Sequence, residues 1–139
     1  IYGTNTPSRL RMAKLYGISG LFNGRVANTC NLSEDYVGYS TKFGDSAGDF
    51  SPISNFTKTE VRELGEELGL PKNLIYKVPE DGMSFKSDEE KLGFTYEVLD
   101  KYIRTGEIDD LKIKEKIDKM HLANLHKIQL MPSYKKDGK

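Results

Sequence analysis

The chain is short of the residues that carry most disulfide and zinc chemistry. Its 139 residues include one cysteine, Cys30, two histidines, His121 and His126, and no tryptophan. A lone cysteine cannot build an internal disulfide framework, which fits a reducing compartment such as the cytoplasm. Cys30 has no obvious base to activate it, so a small buried side chain is its expected role. The two histidines do not share a helix face as an i, i+4 pair would, and with a single cysteine they make too few ligands for zinc. Long apolar runs are also missing: none approaches the roughly 20 residues of a membrane span, and residues 1–11 lack the apolar core of a secretory signal. Neither G-x-x-x-x-G-K-[ST] nor G-x-G-x-x-G occurs, so neither phosphate-cradling loop is present. An initiator methionine is absent too; the chain opens on Ile1, and the expectation is a piece of something longer.

What the chain does have is charge, 30% of its residues, balanced at 21 basic and 21 acidic. The balance hides an asymmetry. Residues 1–110 hold 13 basic and 18 acidic residues, whereas 111–139 hold 8 and 3. A basic tail can meet phosphates or another subunit, or it can be the solvated face of a helix.

Punctuation and periodicity give the elements. Thr6-Pro7 predicts a helix start, with Leu10, Ala13, Tyr16 and Ile18 at helical spacing as far as Gly20. Arg25 to Thr29, bounded by turn residues, predicts a buried strand. Ser33 offers a cap for a short helix through Tyr39. Residues 41–51 have no period and read as a loop, the kind of segment that carries sites. Thr57-Lys58-Thr59-Glu60 is a capping box opening a helix that stops at Gly69-Leu70-Pro71. A turn at Pro71 to Tyr76 and a polar loop from Pro79 to Ser87 follow. Further helices are predicted from Asp88-Glu89-Glu90, over Thr95 to Arg104, and over about Asp109 to Leu125. Helices dominate, but a strand and a glycine-rich loop lie between them, which suggests α/β.

Four places could carry chemistry. Glu34 follows a strand end and sits in a first helical turn, where it can complement the helix dipole or serve as a Mg²⁺ ligand. The loop Thr41-Lys42-Phe43-Gly44-Asp45-Ser46-Ala47-Gly48-Asp49 combines glycines with Lys42, able to neutralise an anion, and Asp49, able to accept from hydroxyl or amide groups. Lys58, at the first position of its helix, opposes the macrodipole; an anion there would meet both the ammonium and free N–H groups. His126-Lys127 lies beyond the last helix.

Taken together these pieces resemble the C-terminal part of the ammonia-dependent NAD⁺ synthetase family. The resembling stretches are Arg9-Leu10-Arg11-Met12, Asn28 to Tyr39, Thr41 to Asp45, Gly48-Asp49-Phe50 with Pro52, Leu68 to Pro71, Asp88-Glu89 with Leu92-Gly93, Tyr96, and His126-Lys127, in order over nearly the whole chain. The resemblance implies a Rossmann-like ATP-pyrophosphatase fold of the adenine nucleotide alpha hydrolase type, here incomplete and helix-rich. Residues 1–139 would be the C-terminal part of one domain, with a helical tail over 107–139 that folds over the site. It implies a homodimer in which deamido-NAD⁺ is adenylated by ATP with release of pyrophosphate, and ammonia then displaces AMP from the acyl-adenylate to give NAD⁺. By motif, Thr29 and Lys58 would contact ATP, Glu34 would hold Mg²⁺, and Arg9, Lys42, Asp49, His126 and Lys127 would bind deamido-NAD⁺.

The sequence departs from the family at three points. Glu80 follows Pro79 where an ATP-contacting Ser or Thr is usual, and a carboxylate there would repel phosphates. Ile128 stands where arginine is common. The family's S-G-G-x-[DL]-[DS] pyrophosphate loop lies upstream of the R-x-R-M helix and is not in this sequence, so the fragment alone is expected to be inactive. Competing readings are a glutamine-coupled or tRNA-modifying adenylating relative, a non-catalytic dimerisation fragment, and a helix-turn-helix over residues 57–76. Four glutamates on the 57–69 helix and zero net charge oppose nucleic-acid binding.

Overall fold

The computed structural model describes residues 2–79 and 87–134. Its helices are α1 (Tyr2–Leu21), α2 (Leu32–Val37), α3 (Lys58–Glu67), α4 (Lys72–Ile75), α5 (Asp88–Leu92), α6 (Tyr96–Thr105) and α7 (Leu111–Ile128). Most of the starts are fixed by side chains that bind their own backbone. Thr57 accepts from the Glu60 amide while Glu60 reaches back to Thr57, the predicted capping box. Asn31 with Glu34 and Ser87 with Glu90 repeat the device on α2 and α5, and Thr95 and Asp110 cap α6 and α7.

Val37, Leu92, Phe94, Tyr96, Leu99 and Ile117 form the buried core, with Tyr102, Ile103, Ile113 and Met120 packed around it. These side chains come from α2, α5, α6 and α7 and from the Gly93-Phe94-Thr95 turn. Gly38 ends α2 at φ 66°, and a Cβ there would stand 2.2 Å from Asn124 Cβ. Its lack of a side chain is what lets α2 and α7 close on one another.

The structure corrects four sequence expectations. The first helix begins at Tyr2, so Pro7 lies inside it rather than at its start. The hydrogen bond lost to proline would have ended at the Gly3 carbonyl, and exposed Gly3 leaves that carbonyl to water. Second, Arg25 to Thr29 is not a buried strand. It makes a single parallel bridge, Ala27 to Phe50, with Asn28 N donating to Phe50 O at 2.8 Å. Ala27 and Thr29 are exposed; a buried parallel strand needs partners on both edges, and among the described residues only one side is paired. Third, α2 is capped by Asn31, not Ser33, whose hydroxyl is used elsewhere. Fourth, the last helix runs further than Leu125: α7 reaches Ile128 and packs on α2, with Ile117 fully buried. His126 and Lys127 lie in the last turn of α7 rather than beyond it.

Candidate functional site

One carboxylate organises the middle of the molecule. Asp100, buried in α6, accepts the Ser33 hydroxyl, the Thr59 amide at 2.8 Å and the Thr59 hydroxyl at 2.7 Å. Ser33 Oγ in turn accepts the Lys58 amide at 2.9 Å. The backbone on either side of Glu34 and Lys58 is thereby clamped to one point. The amides of Lys58, Thr59 and Glu60 are all satisfied within the chain, so the expectation of free N–H groups at the α3 start is not met. Asp100 already supplies the anion that the positive end of the helix favours.

What remains for a ligand is the pair of side chains. Lys58 Nζ lies 3.2 Å from Glu34 Oε1, with side chains 23% and 17% exposed, and 5.4 Å from the centroid of the Tyr96 ring. The second Glu34 oxygen accepts the Asn31 amide at 3.1 Å. The pair opens on a cleft of about 370 Å³ whose walls include Arg62, Leu74, Lys77 and Asp88. Asp88 accepts the Tyr39 hydroxyl at 3.1 Å. Asp35, next to Glu34, has its carboxyl pushed up to about 6 by burial and then by the Glu34 charge.

A second cluster gathers at the seam between α1, the 41–49 loop and the end of α7. Arg9 Nε donates to Lys42 O at 3.2 Å, and Lys42 Nζ donates to the His126 carbonyl. Lys127 Nζ donates to Gly38 O at 2.6 Å and Ser40 O at 2.9 Å, and burial holds its pKa below the ordinary lysine value. Phe43, beside Lys42, sits at φ 63°, a left-handed conformation that a bulky residue rarely adopts and that tends to mark functional loops. The structure thus brings Arg9, Lys42 and His126 together, with Lys127 anchored next to them, and separately joins Glu34 with Lys58.

Other residues singled out by the sequence stand apart. Asp49 accepts the Val26 amide at 2.8 Å and is exposed. Gly48 before it approaches so closely that a Cβ would lie 2.6 Å from Asn28 N. Thr29 lines a smaller hollow of about 190 Å³ with Ser8, Arg11 and Asp45. Glu80 lies outside the described residues. Cys30 is buried, its thiol pushed up to about 12 by burial and by neighbouring carboxylates, which makes it unreactive. His121 stacks on Tyr36 at 4.1 Å and contacts the Tyr36 carbonyl at 2.8 Å, joining α7 to α2. Sequence reasoning missed Asp100, whose signal was a carboxylate on the apolar Tyr96-Leu99-Ile103 side of α6. It also missed Arg62, one turn after Lys58.

Solved structures share this architecture, whose fold class is α/β, Rossmann-like, of the ATP-pyrophosphatase type. The NMN synthetase from Francisella tularensis superposes with a TM-score of 0.88 at 38% identity, over 94% of this chain and 55% of that one. The NH3-dependent NAD synthetase from Campylobacter jejuni, solved with nitrate ion, gives 0.69 at 31%, over 94% and 54%. The pattern of the NAD synthase family matches residues 1–138, and the chain belongs to that family. Among its relatives, the NH(3)-dependent NAD(+) synthetase of Methanococcus aeolicus is 46% identical over 81% of this chain and 44% of its own length. That of Shewanella oneidensis is 37% identical over 93% and 48%. The chain spans about half the length of the curated relatives it matches.

Proposed function

We propose that the chain is the C-terminal part of a ligase that converts deamido-NAD⁺ to NAD⁺ with ATP and ammonia. The observation that carries this reading is the Glu34–Lys58 pair at the mouth of a cleft, in a chain that belongs to the NAD synthase family. In the first step the nicotinate carboxylate attacks the α-phosphorus of ATP, forming an acyl-adenylate and releasing pyrophosphate. In the second, ammonia attacks the acyl carbon, AMP leaves, and the surplus ammonia proton passes to solvent. A carboxylate is a poor acyl donor until adenylation gives it a good leaving group, so the protein's task is positioning and charge neutralisation.

Lys58 neutralises phosphate charge, and Thr29 contacts ATP from the neighbouring hollow. Arg9, Lys42, Asp49, His126 and Lys127 bind the nicotinate nucleotide along the seam. The donor set at the cleft suits Mg²⁺, which takes one or two carboxylates alongside substrate phosphates. Glu34 would hold it, with Asp88 as the cleft's second carboxylate. Bound there, the ion would neutralise charge on the phosphate oxygens. Among the described residues no group of three metal-binding side chains is present, so the remaining ligands would be phosphate oxygens and water. A homodimer and a cytoplasmic location complete the reading. Leu15, Ile18, Leu21 and Phe22, all more than half exposed, support burial of α1 against another surface. No described helix is long and apolar enough to cross a membrane.

The test is ATP- and ammonia-dependent amidation by the full-length protein, wild type against Glu34→Ala. Retained activity in the variant sinks the metal-holding role. A second reading has a specific observation in its favour: the solved structure with a TM-score of 0.88 is an NMN synthetase, while the NAD synthetase from Campylobacter jejuni scores 0.69. The same adenylation would then act on nicotinate mononucleotide. Comparing kcat/KM for the two acids separates the readings, and a preference of more than about tenfold, 1.4 kcal/mol, decides it.

A further inference from the structure

Lys58 is already paired with Glu34, so it meets a phosphate chain with part of its charge neutralised. One helical turn further along α3, Arg62 lines the same cleft, at the i, i+4 spacing that puts two side chains on one face. Gly65 continues that face and lines the cleft as well, while Lys77 contributes to the wall after α4.

Among the described residues, no hydrogen bond or ion pair holds the Arg62 side chain. Its Nε is buried without a hydrogen-bond partner. Glu66, its natural i, i+4 partner, accepts instead from the Tyr76 hydroxyl at 2.6 Å. Glu60 and Glu63 offer no alternative within the cleft: they line a different hollow on the other side of α3, where Glu60 is held by Arg104 at 2.6 Å. A guanidinium donates as a fixed fork suited to two oxygens of one phosphate, and an unfilled buried donor gains most from such an acceptor.

We infer that Arg62 is a second anion-binding residue of the cleft, holding a phosphoryl group of a di- or triphosphate beside Lys58. This deepens the ligase reading by assigning Arg62 to the phosphate chain of the nucleotide, and it rests on that reading for the identity of the ligand. The anion-binding claim itself rests on the cleft. A phosphate oxygen reaches the fork by displacing side chains of the cleft wall, so binding there is accompanied by a local rearrangement.

The test is calorimetric titration of inorganic pyrophosphate into the full-length protein, wild type against Arg62→Gln and Arg62→Lys, with thermal melting of each. The expected result is about tenfold weaker pyrophosphate binding by Arg62→Gln, with partial recovery in Arg62→Lys. The melting temperature of Arg62→Gln should not fall, because Nε has no hydrogen bond to lose. Equal pyrophosphate affinity in wild type and Arg62→Gln overturns the inference, as does failure of the wild type to bind pyrophosphate. Wild type that binds pyrophosphate in an Arg62-dependent way but forms no amide overturns the ligase reading and leaves the inference standing. Where amide does form, Arg62→Gln should raise KM for ATP while leaving KM for the nicotinate acid unchanged.

Discussion

The part of the molecule built from α2, α3, α5, α6 and α7 and the part built from α1 with residues 22–31 and 38–56 use similar apolar residues to opposite ends. In the first, Val37, Tyr96, Leu99 and Ile117 are entirely buried against each other. In the second, Leu10, Leu15, Ile18, Leu21 and Phe22 are 52% to 83% exposed. That half is tied down by polar bonds, such as Ser8 and the Thr41 amide both donating to Asp45 at 2.9 Å. Stability is therefore concentrated in one half, and much of the nucleotide-binding candidate surface lies where the other half is pinned to it. Segments held by few apolar contacts are the ones that open at low free-energy cost.

The largest test of this contrast is Leu99→Ala, which removes a fully buried side chain and should cost about 3 kcal/mol in a urea titration. A loss below about 1 kcal/mol would mean the core is not where the stability lies. Gly38→Ala should cost about 2 kcal/mol, because the residue is left-handed and its new methyl would strike Asn124 on α7. Gly17→Ala should do the opposite. Gly17 lies in α1 with nothing within 4 Å of the position a Cβ would take, so alanine should raise stability by about 0.5 to 1 kcal/mol through helix propensity. If both glycine substitutions destabilise equally, the two halves do not differ as described.

The smallest effect is a change in slope with pH. Asp35 has a folded pKa of about 6 against an ordinary 3.8. Between those values the folded chain holds a proton that the unfolded chain has released, so stability falls as pH rises through that window. Asp35→Asn should flatten that part of a stability–pH profile. An unchanged slope would show that the carboxyl is not held above its ordinary value.

The packed half was largely legible in the sequence, because its helices carry their own start and stop signals. Thr57 with Glu60, Thr95, Gly93 and Gly106 are local marks whose effect does not depend on distant partners. Asn31 with Glu34 is the same mark with asparagine in place of threonine, and Ser33 two residues on offers a competing cap. The first half was less legible, since the conformation of Arg25 to Thr29 depends on which strands lie beside it, and no local signal reports that. Asp100 could be suspected from a carboxylate among apolar positions. Its partners Ser33 and Thr59, 67 and 41 residues away in sequence, could not be read from spacing. The motif resemblance named Glu34 and Lys58 without their distance, and only folding shows that each already has the other.

The lysines at the seam carry a consequence for affinity. Lys42 and Lys127 already hold the carbonyls of His126, Gly38 and Ser40. An incoming anion that recruits either ammonium makes an exchange rather than an addition, because a backbone acceptor must be released for each new bond to the ligand. The measured dissociation constant will therefore understate the strength of the bonds to the anion. Because Lys127 lies in the last turn of α7, giving up Gly38 and Ser40 would also loosen the hold of that turn on the end of α2, so anion affinity and the anchoring of α7 would trade against each other.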